Sequence, residues 1–153
     1  MGINRSQLAQ SLVKLTQSPI LFIPENSEKA TIKNIAYAND FHNIKASSAL
    51  EPLLNLSRTF GAKVHIIHVC KYEVLTNDEA EASIEYYLDH VDNEYVSMKS
   101  ADFVKTIQQY LKDQDIDLLT ILIRDHGNNE LKSQGQLIEQ LVATSRVPVL
   151  SLV

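Results

Sequence analysis

Short apolar runs alternate with amphipathic stretches along most of this chain, and that alternation constrains its fold more than any other feature. The apolar runs predict strands at residues 32–38, 62–69, 94–98, 118–123 and 147–152. Between them, apolar residues recur at helical spacing over residues 44–59, 77–90, 102–112 and 135–144. Strands and helices that alternate over short joints form parallel sheets through right-handed crossovers. The pattern therefore predicts a doubly wound α/β domain with helices on both faces of the sheet.

A repeat adds a second constraint. Residues 7–23 read QLAQSLVKLTQSPILFI and residues 136–152 read QLIEQLVATSRVPVLSL, at an offset of 129 residues (148 − 19) that aligns Pro19 with Pro148 and Leu21 with Leu150. Each copy is a helix, a polar break, a proline and an apolar strand. A unit that closes a domain thus opens this chain. We interpret residues 1–29 as the last helix, strand and linker of a preceding domain, and residues 30–153 as one complete domain.

Composition and charge exclude several classes of protein. The 153 residues are 44% hydrophobic and 22% charged, which is typical of a globular domain, and no apolar run approaches the roughly 18 residues that span a bilayer. The first residues show no secretory signal, and the single cysteine, Cys70, fits a reducing compartment. We therefore expect a cytoplasmic protein without a membrane partner. The net charge of −5, without a cluster of Lys and Arg, also argues against a nucleic-acid partner.

Two predicted strands end in unusually polar segments, NDFH at residues 39–42 and RDHG at residues 124–127. Doubly wound sheets bind ligands at the carboxyl ends of their strands, where the strand order reverses, so we expect these segments to share a pocket. One interpretation is a nucleotide site. In it Asp40 accepts hydrogen bonds from base or ribose, and Arg124, His126 and the Gly127 backbone meet phosphates.

Two other interpretations of these segments stay open. Asp40, His42, Asp125 and His126 are residue types that ligate metals, although no tight ligand spacing supports a metal and we expect none. The plain alternative is that polar loops simply close two crossovers. Gly127 and Gly135 frame the one candidate phosphate loop, with Gly135 opening a helix. Because no nucleophile elbow, P-loop lysine, dinucleotide fingerprint or zinc pair is present, we expect no catalytic residues.

The segments IKNIAYANDF, FGAKVHIIHV, DIDLLTILIRDHG and SRVPVLSLV, with the helix around residues 48–50, resemble the universal stress protein family in order and spacing. The resemblance covers residues 30–153. It implies a five-stranded parallel sheet in the order 3-2-1-4-5, Rossmann-like and similar to the adenine-nucleotide α-hydrolases. It also implies dimers or tandems in which last strands pair antiparallel. Residues 19–23 should accordingly pair antiparallel with residues 147–152 at the sheet edge, and self-association should use last strands.

The family's ATP-binding members carry an aspartate after the first strand, matched by Asp40, and a loop of the form G-x2-G-x9-G-[ST]. This chain departs from that loop. Arg124 replaces the first glycine, only seven residues separate Gly127 from Gly135, and Gln136 stands where Ser or Thr is expected. Glycine loops bind phosphate because their N–H groups approach it without a Cβ in the way. The candidate nucleotide-binding residues are Asp40, Phe41, Arg124, His126, Gly127, Gly135 and Gln136.

The resemblance and its departures lead to one functional prediction and two alternatives. We expect a non-enzymatic regulatory or protein-interaction domain with a degenerate nucleotide pocket, no cofactor and an unidentified protein partner. The first alternative is a nucleotide-binding stress protein that binds ATP and hydrolyses it slowly. The second is a small-molecule transferase or hydrolase on the same architecture, since fold alone does not determine function.

Overall fold

Six strands form one sheet in the computed structural model, which describes residues 4–27, 31–39, 47–71, 84, 86–123 and 128–153. The strands are β1 (Ile20–Phe22), β2 (Asn34–Asn39), β3 (Lys63–Cys70), β4 (Asn93–Lys99), β5 (Leu118–Leu122) and β6 (Val149–Leu152). The helices are α1 (Arg5–Leu15), α2 (Glu51–Phe60), α3 (Phe103–Asp113) and α4 (Asn128–Thr144). A 3₁₀ turn, Ser47–Leu50, leads into α2, and residues 84 and 86–88 are helical.

The strand order across the sheet is β1-β6-β5-β2-β3-β4. Strands β2 to β6 are mutually parallel, and from the β4 side they follow the predicted order 3-2-1-4-5. β1 extends this five-stranded parallel sheet at its edge and pairs antiparallel with β6, with Leu21 opposite Leu150. The α/β fold, its strand order and the antiparallel strand at the edge are therefore confirmed. Leu21 and Leu150 are also the residues that the sequence repeat aligns.

The sheet separates two apolar cores because successive side chains of a strand point to opposite faces. Ala36 and Ala38 of β2 face the core that α1, α3 and α4 cover, whereas Ile35 and Tyr37 face the core beneath α2 and the helical residues 84–88. The central strands are apolar on both faces, as expected for parallel strands covered by helices on both sides. No helix among the described residues is long and apolar enough to cross a bilayer.

Two helix starts follow from local chemistry. Pro52 lies in the first turn of α2, where its missing N–H needs no partner, so it does not interrupt the helix. The cap of α3 is Asp102, whose carboxylate accepts a hydrogen bond from Lys105 N at 3.0 Å. From the sequence, Ser100 is an alternative candidate for this cap, and that interpretation is wrong. The Ser100 hydroxyl instead accepts from Asp102 N at 3.1 Å, ahead of the helix.

The segment formed by α1 and β1 packs at the edge of the sheet opposite to β4. Ala9 and Val13 of α1 are buried in the same core as Ile138 and Val142 of α4, and Ile20 and Phe22 of β1 pack against that core. The two helices of the sequence repeat thus pack against each other. The two strands of the repeat pair directly beneath them.

Candidate functional site

The carboxyl ends of β2 and β5 lie side by side. The two strands are parallel neighbours, with Ala38 of β2 opposite Ile121 of β5. From this pair the sheet continues to β3 and β4 on one side and to β6 on the other, so the strand order reverses here. This is the position at which doubly wound sheets bind ligands. The expected meeting of the two strand ends is confirmed for the strands themselves.

A cavity of about 250 Å³ opens at these strand ends. It is lined by Ala38, His68, Val69, Phe103, Ile121, Leu122 and Leu137. Six of these residues are apolar, and His68, itself buried, is the single polar side chain among the described residues of the lining. The volume lies just below the roughly 300–1,000 Å³ of ordinary small-molecule sites. Among the described residues, the lining is suited to a flat apolar group and supplies no cationic Lys or Arg.

The helix after β5 begins earlier than the sequence predicted. We expected a polar loop up to residue 134 and a helix starting at Gly135, but α4 begins at Asn128 and Gly135 lies inside it. The prediction of a helix start at Gly135 was therefore wrong. A glycine inside a helix costs only about 1 kcal/mol relative to alanine, and the surrounding residues readily offset that cost. Inside the helix, N–H groups are engaged in backbone hydrogen bonds, and only the first four lack such a partner.

Most of the predicted site residues fall outside the described residues. This is the case for Asp40, Phe41, Arg124, His126 and Gly127, and also for His42 and Asp125 of the alternative metal site. Gly135 and Gln136 lie within α4, where Gln136 is exposed. Whether these residues bind nucleotide stays a prediction. Within the described part of the chain, no group of three or more His, Cys, Asp and Glu is placed to hold a metal ion.

A second polar cluster lies away from the cavity, between the sheet edge and α3. His65 Nδ1 of β3 is 2.9 Å from both the Tyr110 hydroxyl and Glu94 Oε1, and His65 Nε2 is 3.2 Å from Asn34 Oδ1. Glu94 Oε2 accepts a hydrogen bond from Lys63 Nζ at 2.6 Å. His65 is buried, whereas Glu94 and Lys63 are partly exposed. The cluster therefore links an interior imidazole to a surface ion pair.

The environment shifts the pKa values of this cluster in different directions. Burial lowers the pKa of His65, and the Glu94 carboxylate only partly opposes that shift. The hydrogen bond from Lys63 lowers the pKa of Glu94. Burial raises the pKa of Tyr110. At neutral pH the cluster thus holds a neutral histidine beside a charged Lys–Glu pair, which is a structural arrangement and not an activated nucleophile.

Comparison with solved structures identifies the fold. A universal stress protein from Archaeoglobus fulgidus DSM 4304 superposes with a TM-score of 0.72 at 19% identity, covering 94% of this chain and 52% of that one. A universal stress protein in complex with cAMP matches 81% of this chain and 98% of its own length, at 14% identity and a TM-score of 0.62. A universal stress protein from Archaeoglobus fulgidus in complex with dAMP matches 79% of this chain and 98% of its own length, at 16% identity and a TM-score of 0.55.

These likenesses place the chain in a class of fold. It is a doubly wound α/β domain with a cavity at the switch point, and the fold is that of the universal stress proteins. The chain spans about half the length of the first of these structures. No family model and no curated protein matches the sequence.

Proposed function

We propose that this chain is a cytoplasmic regulatory or protein-interaction domain of the universal stress protein type, with a nucleotide pocket that has lost its phosphate loop. The observation that carries the proposal is the start of α4 at Asn128, with only four residues between it and Ile123. A phosphate loop needs several N–H groups free to face the ligand. Residues 132–136, which include Gly135, lie within α4, where N–H groups are engaged in helical hydrogen bonds.

The lining of the cavity supports the same proposal. A nucleoside triphosphate requires cations or clustered N–H groups for its phosphates, as well as an apolar slot for its base. The described lining offers the slot, with Phe103 and Leu122 on its walls, and its single titratable group is His68. Its volume of about 250 Å³ is small for a ligand with a triphosphate.

A second candidate function is nucleotide binding with slow ATP hydrolysis. Two solved structures that share this fold are complexes with cAMP and with dAMP. In this chain, the cavity lies at the switch point, and the 17-residue helix α4 is the next described element after β5, so its first N–H groups favour an anion. The ligand residues would be Asp40, Arg124 and Gly127, together with Gly135 and Gln136.

Calorimetric titration of the purified chain with ATP, ADP, dAMP and cAMP separates the two candidates. We expect no binding tighter than about 100 μM, which corresponds to about −5.5 kcal/mol. A dissociation constant below about 100 μM for any of the four ligands overturns the proposal of a degenerate pocket and supports the nucleotide-binding candidate.

Paired variants show whether any such binding uses the predicted pocket. Asp40→Ala removes the carboxylate that the resemblance assigns to base or ribose. Asp113→Ala removes an exposed carboxylate at the end of α3 and makes the same change in charge. Binding through the pocket is lost in the first variant and kept in the second. Equal loss in both would indicate nonspecific electrostatics.

We also propose that the domain is not an enzyme and needs no cofactor. Among the residues that the structure describes, neither the cavity lining nor the His65 cluster pairs a nucleophile with a base aimed into a cleft. A steady turnover of an acyl or phosphoryl substrate, well above the buffer rate and absent from a denatured sample, would contradict the proposal.

The α1–β1 segment is best explained as the end of a preceding domain of the same fold. The double-length structure covers 94% of this chain, whereas the dAMP complex covers 79%, a difference of about 23 of the 153 residues. The α1–β1 segment, Arg5 to Phe22, is of similar size. The extra coverage therefore supports the division into residues 1–29 and 30–153.

A further inference from the structure

The strand β4 is the long edge of the sheet. Among the described strands, those that end the sheet are β1 and β4, and they have three and seven residues respectively. An edge strand presents N–H and C=O groups that another chain can join, and proteins often shorten their edge strands for that reason. A strand of seven residues is long enough to accept a further strand along its free side.

The backbone hydrogen bonds show which groups of β4 point outward. Asp92 O, just before β4, accepts a hydrogen bond from Val64 N of β3 at 2.8 Å. Ser100 N, just after β4, donates one to Cys70 O of β3, also at 2.8 Å. Because the backbone alternates in direction along a strand, Ser97, an odd number of positions from both, directs its N–H and C=O away from β3. Within the described part of the chain, no strand pairs with this outer side of β4.

A groove of about 570 Å³, which we term the β4–α3 groove, lies between this edge strand and α3. Its described lining includes Met98 of β4 and one side of α3 with Lys105, Gln109, Tyr110 and Asp113. Met98 and Tyr110 belong to the same apolar core, so strand and helix line the groove on one face of the sheet. The volume is that of an ordinary binding site. Every second side chain of a strand added to β4 would point towards this groove.

The groove differs in charge between its two ends. α3 runs back along β4, since the Tyr110 hydroxyl near the end of the helix lies 2.9 Å from the imidazole nitrogen that a carboxylate near the start of β4 also contacts at 2.9 Å. Exposed Asp113, one turn beyond Tyr110, therefore lies at the start of β4, as does exposed Asp92. Exposed Lys105 and Lys99 lie at the end of β4. The start of the groove is thus acidic and its end is basic.

The remaining charges at these ends leave this polarity in place. Lys63 and Glu94 form an ion pair at the start of β4, and their charges offset each other. At the end of β4, Asp102 is the cap of α3, and its single negative charge stands against two lysines. A bound segment would accordingly meet opposite charges at its two ends.

We propose that the β4–α3 groove binds an extended peptide segment of a partner protein, which adds an antiparallel strand to the free side of β4. Addition of a strand to a sheet edge obtains affinity from the main chain and specificity from alternate side chains. Antiparallel pairs are slightly more stable per residue than parallel ones. Charge complementarity then requires acidic side chains before the apolar centre of the segment and basic side chains after it. The inference names the surface and the partner for the protein-interaction role proposed above, and it rests on that role.

Fluorescence anisotropy with a labelled synthetic peptide tests the binding. The probe has two glutamates, then five alternating threonines and valines, then two lysines, with both termini blocked. We expect saturable binding with a dissociation constant on the order of 100 μM or tighter. A peptide with the same residues in reverse order is the control for composition. It should bind about tenfold more weakly or worse, because its charges oppose those of the groove in the antiparallel arrangement.

Two variants at one position test the use of the strand edge. Ser97 is exposed, and Ser97→Pro removes an N–H that points away from β3. Proline is tolerated in an edge strand at such a position, so the sheet should stay folded. We expect Ser97→Pro to weaken peptide binding about tenfold or more. Ser97→Ala keeps the N–H and should bind the peptide as the wild type does.

A second pair of variants tests the charge of the groove. Lys105→Glu reverses a charge at the basic end and should weaken binding of the probe. Lys112→Glu makes the same change at an exposed position of the same helix, outside the described lining of the groove, and should leave binding unchanged. Circular dichroism shows whether each variant is folded. If Ser97→Pro does not fold, this pair decides.

Each outcome decides for or against the proposal. Binding of the probe that Ser97→Pro or Lys105→Glu weakens, and that the matched control variant keeps, supports it. No binding to the folded wild-type chain at about 100 μM protein overturns it, as does equal or tighter binding of the reversed peptide. Equal binding to all folded variants also overturns it. Tight nucleotide binding in the calorimetric titration would instead overturn the degenerate pocket and leave the peptide result as it stands.

Discussion

The burial of His65 makes the stability of the protein depend on pH. The pKa of His65 is lowered in the folded protein, so between its ordinary value near 6.5 and the folded value the unfolded chain binds the proton more readily. Stability is then lost as pH falls below about 6.5, at no more than about 1.4 kcal/mol per pH unit for one group. Urea unfolding at several pH values between 7.5 and 5.5 measures this loss. His65→Gln should flatten the profile.

A control separates this effect from general acid destabilisation. His90 is exposed, and His90→Gln should leave the profile unchanged. The other charged groups near His65 are Lys63, Asp92 and Glu94. The lowered pKa of Glu94 affects stability only below its ordinary value near 4.5, outside the measured range. Identical slopes for wild type and His65→Gln would contradict the prediction.

Asp117 holds the start of β2. Its Oδ2 accepts hydrogen bonds from Lys33 N at 2.8 Å and Asn34 N at 3.0 Å, and the side chain is buried. Asp117→Ala leaves both N–H groups without that acceptor, so we expect a loss of about 2 kcal/mol in the free energy of unfolding. Asp117→Asn keeps an acceptor oxygen and should lose less. Denaturant titration measures both, and equal losses would show that the hydrogen bonds contribute little.

The His65 cluster could not be predicted from sequence because it depends on register. His65 lies opposite Glu94 only because the register between β3 and β4 aligns these two residues. Tyr110 contacts His65 from α3. The sequence alone predicts a satisfied core or edge histidine at position 65, and it does not indicate which groups His65 contacts. Lys63 and His65, two residues apart and thus on one face of a strand, were the available signal. Their partner on the neighbouring strand was not evident.

At the scale of elements, the docking of α1 depends on its smallest buried residue. Ala9 is fully buried where α1 meets α4, so Ala9→Glu places an unpaired carboxylate in that contact. We expect α1 and β1 to detach while the other strands stay folded, which hydrogen exchange would show as lost protection at residues 20–22 and 149–151. Ser11→Glu, on the exposed side of α1, is the control and should keep that protection.

Element order was predictable here, whereas the beginning of α4 was not. A run as apolar as that of β5 is readily assigned as a strand. The aligned pair Leu21 and Leu150 indicated that β1 and β6 pair with each other. Helix starts depend on weaker preferences. Gly135 suggested a boundary, yet helical residues on both sides of it carry the helix through. The predicted phosphate loop is wrong for the same reason, because it was assigned to residues that belong to α4.

At the scale of the whole molecule, the cavity and the α1–β1 segment lie in different parts of the sheet. The cavity lies at the carboxyl ends of β2, β3 and β5, whereas β1 lies beyond β6. Loss of ligand binding would therefore leave the pairing of β1 with β6 unaffected.

The pairing of β1 with β6 can form only late in synthesis, because β6 is translated long after β1. β1 precedes the other five described strands in the chain, whereas its partner β6 follows them all. At about 5–20 residues per second, the 129 residues from Leu21 to Leu150 take on the order of 10 s to translate. During that interval the apolar residues of β1 have no native strand to join. The nascent chain thus exposes the apolar residues of β1 for that interval, and a chaperone that binds exposed apolar segments would protect them.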